Sequence, residues 1–393
     1  NVAEEHRKMA NSLVAEAPAN DGLAPLDLEQ FCADQAIALE APFGEHIPQV
    51  PLGIMMSREC IPTELNVDVD AWRYGEDAAY RLDLNQAYND KAERIVGRRL
   101  LPEDPPGKRQ KCFPEVNRLE ALFEAKQVWQ AGSWWLEPSA DSEEQLKALL
   151  DRVERRLEAV RDFVLPEGWS KERDKLLAEG VPPPLYRDQR GPVTFATSIY
   201  GVENLLFLMY DNPALAERFS QTILHSMLAI AAVLDDEAGY TPGTPRGFSF
   251  RDDNCSLLTP EMYEMFGYPI LKGIFDRYAP DPEDRRFQHS DSAMGHLLPI
   301  LGRLNLTGTN FGPTVMVDDI RRYLPNAVIR GELAPFTFSR NEEENIVREF
   351  LRDHHLTRQS RGLLFGTAGS INDGSRLTGM RLIMAAIQRF GRY

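Results

Sequence analysis

Two adjacent acidic residues, Asp252 and Asp253, are the strongest candidates for catalytic residues in this sequence. They directly follow a short apolar and aromatic run, and the pair Thr259-Pro260 comes six residues later. Threonine before a proline is a typical helix start, so the two acids lie where a strand ends, which is the catalytic rim of a β/α barrel. Two carboxylates at one site raise the pKa of one of them and permit acid/base catalysis. The alternative is a polar cap for the following helix.

The second half of the chain alternates between strand and helix patterns. Predicted strands cover 193–199, 246–250, 285–289, 308–311, 327–330 and 362–366. Predicted helices cover 212–239, 260–278, 295–304, 317–324, 342–352 and 377–390. Repeated β-then-α units imply parallel strands joined by right-handed crossovers. We therefore expect the α/β class and a single (β/α)8 TIM barrel.

The first half divides less clearly. Residues 1–47 are polar and helix-prone and predict an N-terminal helical extension, and residues 48–393 would form the barrel. Further elements are predicted as strands at 50–56, 93–100 and 132–138, helices at 77–92, 119–130 and 142–163, and a linker at 101–114 rich in proline, glycine and charge. These units supply the two or three strands that a barrel of eight still needs.

Composition narrows the function classes. The chain has 60 acidic against 44 basic residues and a net charge of −16, which argues against nucleic acid or an anionic membrane as a partner. Its four cysteines form no Cys-x-x-Cys pair, which favours a reducing cytoplasm over a disulfide framework. No apolar run is long enough to span a membrane, and the polar N-terminal stretch does not resemble a signal peptide.

Several short motifs, taken together in their order, resemble the uroporphyrinogen decarboxylase superfamily over roughly residues 180 to 393. The motifs are Asp252-Asp253, Thr259-Pro260-x-x-Tyr263-x-x-Phe266, His289-Ser290-Asp291, Gly331-Glu332-Leu333-Ala334-Pro335 and Gln388-Arg389-Phe390-Gly391-Arg392-Tyr393. That group includes tetrapyrrole decarboxylases and cobalamin-linked methyltransferases. The resemblance implies a barrel enzyme that binds a small molecule at its mouth and forms a homodimer.

The resemblance also implies a metal site. In the methyltransferase branch a His-x-Cys pair and a cysteine in a later glycine turn bind zinc, but here the first motif reads His289-Ser290-Asp291 and the later turn reads Gly366-Thr367-Ala368-Gly369. With both cysteines replaced, we expect an oxygen and nitrogen site formed by His289, Asp291 and Glu332, which suits zinc or another divalent metal. The alternative is a histidine hydrogen-bonded within a polar rim.

Substrate contacts are predicted mainly at the same rim. Ser198 and Tyr200 end a segment that resembles the family's Gly-Pro-x-Thr strand, and Arg251, Thr367 and the isolated Arg58 are further candidates. The decarboxylases carry an N-terminal Arg-Gln-Ala-Gly-Arg motif and a late Gly-His-Gly turn, and both are absent here. Decarboxylation of uroporphyrinogen itself is therefore not expected.

Three functions follow from these observations. The first is methyl transfer from a small methoxylated or methylated substrate to a corrinoid protein, with Asp252, Asp253, His289 and Glu332 as catalytic residues. The second is a decarboxylase or lyase that acts on a small or tetrapyrrole-like carboxylic acid with the help of arginine. The third is a non-catalytic barrel that binds a small molecule. A metal ion at His289 would favour the first, an arginine cluster at the barrel mouth the second, and an apolar mouth the third.

Overall fold

The computed structural model describes residues 2–104, 112–240 and 243–393. The strands in these ranges are β1 Lys126–Gln130, β2 Ser133–Glu137, β3 Asp188–Arg190, β4 Phe248–Arg251, β5 Arg286–Ser290, β6 Gly308–Phe311, β7 Val328–Leu333 and β8 Leu363–Thr367. The helices of the first half are α1 Val2–Glu16, α2 Leu28–Glu40, α3 Ile61–Leu65, α4 Ala71–Glu76, α5 Ala78–Val96, α6 Leu119–Leu122, α7 Glu143–Leu157, α8 Val160–Val164, α9 Trp169–Ala178 and α10 Pro192–Tyr200. The helices of the second half are α11 Val202–Asp211, α12 Pro213–Glu237, α13 Pro260–Tyr278, α14 Leu298–Leu301, α15 Val317–Tyr323, α16 Pro335–Ser339, α17 Glu343–Thr357 and α18 Leu377–Phe390.

Six of the strands form one sheet in the order β3-β4-β5-β6-β7-β8, and its register shows parallel pairing. Neighbours in the sheet are also neighbours in sequence, and helices connect them, which is the order of a β/α barrel. Leu52 adds a parallel bridge to Phe365 of β8, at the place of the predicted first strand. The α/β class and barrel topology are therefore confirmed.

Local sequence signals explain several helix boundaries. The Thr259 side chain accepts a hydrogen bond from the backbone N–H of Met262 and so caps α13, whose first residue is Pro260. Asn212 caps α12 in the same way, again before a proline. Such caps satisfy backbone N–H groups that have no partner within the helix. They fix the first turn of α13, which follows β4, and of α12, which follows α11.

The contacts of the chain divide it into two compact units. The first comprises residues 1–108, 290–295 and 308–393, and within it α1 packs on α17 and α5 packs on α18. The second comprises residues 109–289 and 296–307, and its core contains α12 packed on α13 together with the edge-to-face pair Phe123 and Phe195. The predicted division at residue 47 remains a prediction. Helices α1 and α2 do lie within the predicted N-terminal extension.

Four predicted elements were wrong. The predicted strand at 193–199 is helix α10, and the true strand β3 precedes it. The predicted strand at 93–100 is largely the end of α5, which stops where Gly97 adopts φ +75°. The predicted helix at 119–130 is helical only over α6 and then becomes β1, and the predicted strand at 50–56 forms only an isolated bridge. The predicted linker at 101–114 falls partly outside the described residues.

Within the described ranges, every helix is either too short or too polar to cross a bilayer.

Candidate functional site

The functional candidates cluster where β4 and β5 end. Arg251 pairs in parallel register with His289, and the backbone N–H of Asp252 donates to the His289 carbonyl oxygen at 2.9 Å. Asp253 and Asp291 each follow this last paired position by two residues in sequence. The polar residues after these two strands converge because parallel strands end at the same edge of a sheet.

Asp253, His289 and Asp291 form a group that could hold a metal ion. One ligand atom from each residue lies within 4.8 Å of the other two. Asp253 and His289 are half-buried and Asp291 is exposed. One imidazole nitrogen and two carboxylate oxygens suit zinc or another divalent ion, and three protein ligands leave a coordination position open, as in catalytic zinc sites.

The turn after β8 reaches Asp291 and holds it. The backbone N–H of Ser370 donates to Asp291 Oδ1 at 3.0 Å. Gly369 has φ +88°, and a Cβ atom built on it would lie 2.1 Å from the same oxygen. In the methyltransferase branch this turn was expected to supply a cysteine ligand, whereas here it supplies a backbone donor. A hydrogen bond of this kind orients a ligating carboxylate.

The Asp252 side chain stabilises the start of α10. Its side chain is fully buried and accepts a hydrogen bond from the backbone N–H of Thr194 at 2.8 Å, near the start of α10. Burial raises the pKa of its carboxyl to about 6, against the lowering effect of the Thr194 hydrogen bonds. A Cβ atom on Gly191 would lie 2.1 Å from the Asp252 side chain, so glycine permits this close approach. Asp252 therefore supports the start of α10, the helix before it in sequence, whereas the alternative expected from sequence was a cap for the following helix, which Thr259 provides instead.

An open cavity of about 460 Å³ adjoins Asp253 within the second unit. Its charged lining residues are Arg118, Glu120, Asp188, Arg190, Arg251 and Asp253, and its apolar lining includes Leu119, Trp134, Trp135, Leu136 and Phe195. Arg190 ends β3 and donates to Ser198 Oγ at 3.3 Å. Burial lowers the pKa of this guanidinium, while the nearby carboxylates of Glu120 and Asp253 raise it. The cavity therefore combines a half-buried cation with aromatic walls.

The β1–β2 hairpin supplies the aromatic wall. Trp134 and Trp135 are about half exposed, and Trp135 Nε1 donates to the Gln130 carbonyl oxygen at 3.0 Å. Glu124, just before the hairpin, accepts two hydrogen bonds from Arg152 of α7 at 2.9 and 2.8 Å, and Arg156 adds a further contact. These hydrogen bonds tie the base of the hairpin to α7.

Glu332 lies apart from the metal-binding group. It is 2% exposed, and by distance and angle neither of its carboxylate oxygens has a hydrogen-bond partner among the described residues. Burial, and then the neighbouring Asp353 carboxylate, raise its pKa well above the ordinary value. Its own backbone N–H donates to Asp353 Oδ2 at 3.3 Å. Glu332 is thus a buried carboxyl group with a raised pKa, next to Asp353 of α17.

The predicted substrate-binding residues are dispersed. Arg251 lines the cavity and pairs with Asp188, while Ser198 contacts Arg190. Tyr200 is buried at the end of α10, and burial raises the pKa of its hydroxyl.

Two further candidates shape loops of the first unit. Thr367 Oγ1 donates to the Gly369 carbonyl oxygen at 2.9 Å, and this contact shapes the turn that holds Asp291. Arg58 pairs with Glu59 and lies 5.8 Å from the centre of the Tyr74 ring. Thr367 and Arg58 thus both interact with neighbouring residues of the same unit.

Sequence reasoning missed Arg118, Arg190 and the two tryptophan residues of the hairpin. Arg190 lies just before the segment that was wrongly predicted as a strand, so it was not read as a strand end. The aromatic strand at 132–138 was predicted, but no pattern in the sequence indicated that it faces a cavity.

Comparisons with known proteins agree with this fold. The uroporphyrinogen decarboxylase (URO-D) family profile matches residues 176–390, which is more than half of the chain. The chain therefore belongs to the URO-D family. A solved structure of a methyltransferase from Methanosarcina mazei is similar in fold, with a TM-score of 0.54 and 14% sequence identity over 91% of this chain and 98% of that chain. No curated protein matches the chain.

Proposed function

We propose that this protein is a methyltransferase that moves a methyl group from a small methoxylated or methylated substrate to a corrinoid carried by a partner protein. The group formed by Asp253, His289 and Asp291 carries this proposal, because it joins three potential ligands at the rim of a URO-D barrel. The structural neighbour from Methanosarcina mazei is itself a methyltransferase, which is consistent with this reaction class.

The proposed reaction balances as a simple group transfer. The methyl carbon leaves an oxygen or nitrogen of the substrate, which keeps the bonding electron pair and takes up a proton. The electron pair of cobalt(I) forms the new bond to the methyl carbon. A divalent metal held by the three residues would polarise the substrate heteroatom and so weaken its bond to the methyl group.

Each side chain has a defined task in this proposal. His289 and the two carboxylates hold the ion, and the Ser370 N–H fixes the orientation of Asp291. The cavity beside Asp253 receives the substrate. Asp252 holds the start of α10, and thereby the neighbouring wall of the cavity, in place.

Partner docking needs accessible apolar surface near the barrel mouth. In the first unit Met55 is 75% exposed just beyond the bridge to β8, and Phe336 is 63% exposed just beyond β7. Contiguous exposed apolar patches mark protein-binding surfaces. We therefore take these two side chains as candidates for contacts with the partner protein.

The test is methylation of free cob(I)alamin by the purified, zinc-loaded protein with a panel of methoxylated aromatic acids and methylamines. We expect methylcobalamin to form with at least one substrate, to be detected by its absorption spectrum, and to be lost in His289→Ala. Absence of methylcobalamin with every substrate, together with release of carbon dioxide from an acid, would replace this proposal by the second candidate.

That second candidate is a decarboxylase or lyase acting on a carboxylic acid. The three arginine residues that line the cavity favour it, because guanidinium groups bind carboxylates in bidentate geometry. The metal-binding group favours methyl transfer, and the same substrate panel tests both reactions.

A further inference from the structure

Arg190 is a cation of the cavity lining, and the carboxylates of Glu120 and Asp253 act on it electrostatically. Of the ion pairs formed by the described residues none includes Arg190, and its one hydrogen bond goes to the neutral Ser198 hydroxyl. The side chain is half-buried rather than free in solvent. A partly desolvated guanidinium gains more from a bound anion than a fully hydrated one does.

Two of the three acidic residues of the cavity are engaged by other side chains. Asp188 pairs with Arg251, and Glu120 accepts a hydrogen bond from Gln127 at 3.3 Å. Asp253, the third, belongs to the candidate metal-binding group. The formal charges of the lining residues balance, and within the described residues none of these acids forms a direct ion pair with Arg190, so its guanidinium keeps donors for a ligand.

Arg118 adds a second cation to the same lining. Its side chain has no ion pair or hydrogen bond with any residue in the described part of the chain, and it borders the cavity beside Glu120. The same lining includes Trp134 and Trp135, whose rings suit a flat apolar body.

We infer that this cavity binds an organic acid, with its carboxylate at Arg190 and Arg118 and its flat apolar body against the two tryptophan residues. This inference deepens the proposed function, because it names the substrate class of the same site. The acid group anchors the molecule, and the opposite end of the molecule extends toward Asp253. Arg190 is thus a substrate-binding residue, and Ser198 is a positioning residue that acts through it.

The test is binding of 2-naphthoate to the full chain, measured by titration calorimetry and by quenching of tryptophan fluorescence. The matched neutral probe is 2-naphthamide, which has the same ring system without the charge. Buffer with EDTA keeps metal out of the measurement, so the result does not depend on methyl transfer. We expect naphthoate to bind and naphthamide to bind at least about tenfold more weakly.

Substitutions of the two arginine residues test whether they bind the carboxylate of naphthoate. Arg190→Gln should weaken naphthoate binding at least about tenfold. The affinity of Arg190→Lys for naphthoate should lie between those of Arg190→Gln and the wild type, because lysine keeps the charge but lacks the planar guanidinium. Arg303→Gln is the control, since Arg303 belongs to the same unit but pairs with Glu264 away from the cavity lining. Far-UV circular dichroism checks that each variant is folded.

The outcomes separate the two proposals. Equal affinity for naphthoate and naphthamide, or unchanged affinity in both Arg190→Gln and Arg118→Gln, would overturn the acid-binding inference. If Arg190→Gln does not fold, the comparison of the two probes on the wild type and Arg118→Gln still decides. Acid binding without methylcobalamin formation would contradict the proposed function and leave this inference standing.

Discussion

The backbone N–H of Ser370 donates a hydrogen bond to Asp291 Oδ1 at 3.0 Å. This contact joins the turn after β8 to the potential metal ligand that follows β5. The turn thus orients a carboxylate at the position where the resemblance to methyltransferases implied a thiolate ligand. The cysteine residues of those motifs are absent here, and the two loops are joined by the Ser370–Asp291 hydrogen bond.

Substitution of Gly369 should disturb this relationship. In Gly369→Ala the new methyl group would lie 2.1 Å from Asp291 Oδ1, so the carboxylate must move. Loss of an orienting contact typically lowers metal affinity by about 10- to 100-fold. Competition with a chromogenic zinc chelator measures the affinity.

Gly22→Ala is the matched control for Gly369→Ala. Gly22 also has a positive φ, +76°, but a Cβ atom there would have no neighbour within 4 Å. Both variants carry backbone strain of about 1 kcal/mol. We expect Gly22→Ala to lower stability slightly and to bind zinc as the wild type does, and equal zinc affinities in the two variants would contradict the assigned role of Gly369.

Truncation of Asp252 and of Asp253 to alanine should have different effects on stability and on zinc binding. Asp252→Ala removes the acceptor for the Thr194 N–H and should lower the free energy of unfolding by about 1–2 kcal/mol. Asp253→Ala should change stability by less than about 0.5 kcal/mol in the metal-free protein and abolish zinc binding. Urea denaturation and chelator competition measure the two effects, and a reversed pattern would mean that the two roles are exchanged.

Glu332→Gln tests whether Glu332 is a metal ligand. The carboxyl is buried, its pKa is raised, and it lies outside the group of three ligand atoms. An amide of the same shape should therefore change stability by about 1 kcal/mol or less and leave zinc affinity unchanged. A loss of zinc binding that matches the loss in Asp253→Ala would restore Glu332 to the ligand set.

The contacts of Glu124 with Arg152 and Arg156, which tie the β1–β2 hairpin to α7, should stabilise the fold in a way that depends on pH. The hydrogen bonds from Arg152, and then those from Arg156, lower the pKa of Glu124 from 4.5 to about 2. A lowered pKa in the folded state stabilises the fold above the ordinary pKa of 4.5, and this stabilisation is lost as pH falls toward 2. Because the carboxylate is partly exposed, solvent screening limits the effect to about 1 kcal/mol or less.

Glu124→Gln should therefore be less stable than the wild type near neutral pH, and the difference should shrink as the pH is lowered below the ordinary pKa of glutamate. Urea unfolding at several pH values measures it. The control is Glu137→Gln, which alters a more exposed hairpin carboxylate whose ion pair with Lys126 spans 3.7 Å. A constant difference between Glu124→Gln and the wild type at all pH values would show that the ion pair contributes nothing.

The elements predicted well from sequence are those whose boundaries carry strong local signals. Helix α13 begins at Pro260 after a threonine cap, and β6 and α18 have the predicted bounds. The parallel order of these elements then brings Asp253, His289 and Asp291 to one edge. That part of the site follows from strand ends alone.

The wrong predictions for the α10 segment and for Glu332 have physical causes. The segment of α10 is almost fully buried and rich in β-branched residues, and for short apolar runs the sequence pattern does not separate a buried helix from a buried strand. That error shifted the expected strand end from Arg190 to Ser198 and Tyr200. Because Glu332 lies at the end of a strand, it was expected at the metal site, but burial against Asp353 depends on tertiary packing that no local pattern records.

The most direct test of the central claim is the metal content and zinc affinity of the wild type beside His289→Ala. Inductively coupled plasma mass spectrometry after zinc loading and desalting measures the content, and chelator competition measures the affinity. We predict about one zinc ion per chain in the wild type and a loss of binding in His289→Ala, with the melting temperature within a few degrees of the wild type. Zinc content that is the same in both proteins, or absent from the folded wild type, would contradict the assignment of Asp253, His289 and Asp291 as a metal centre.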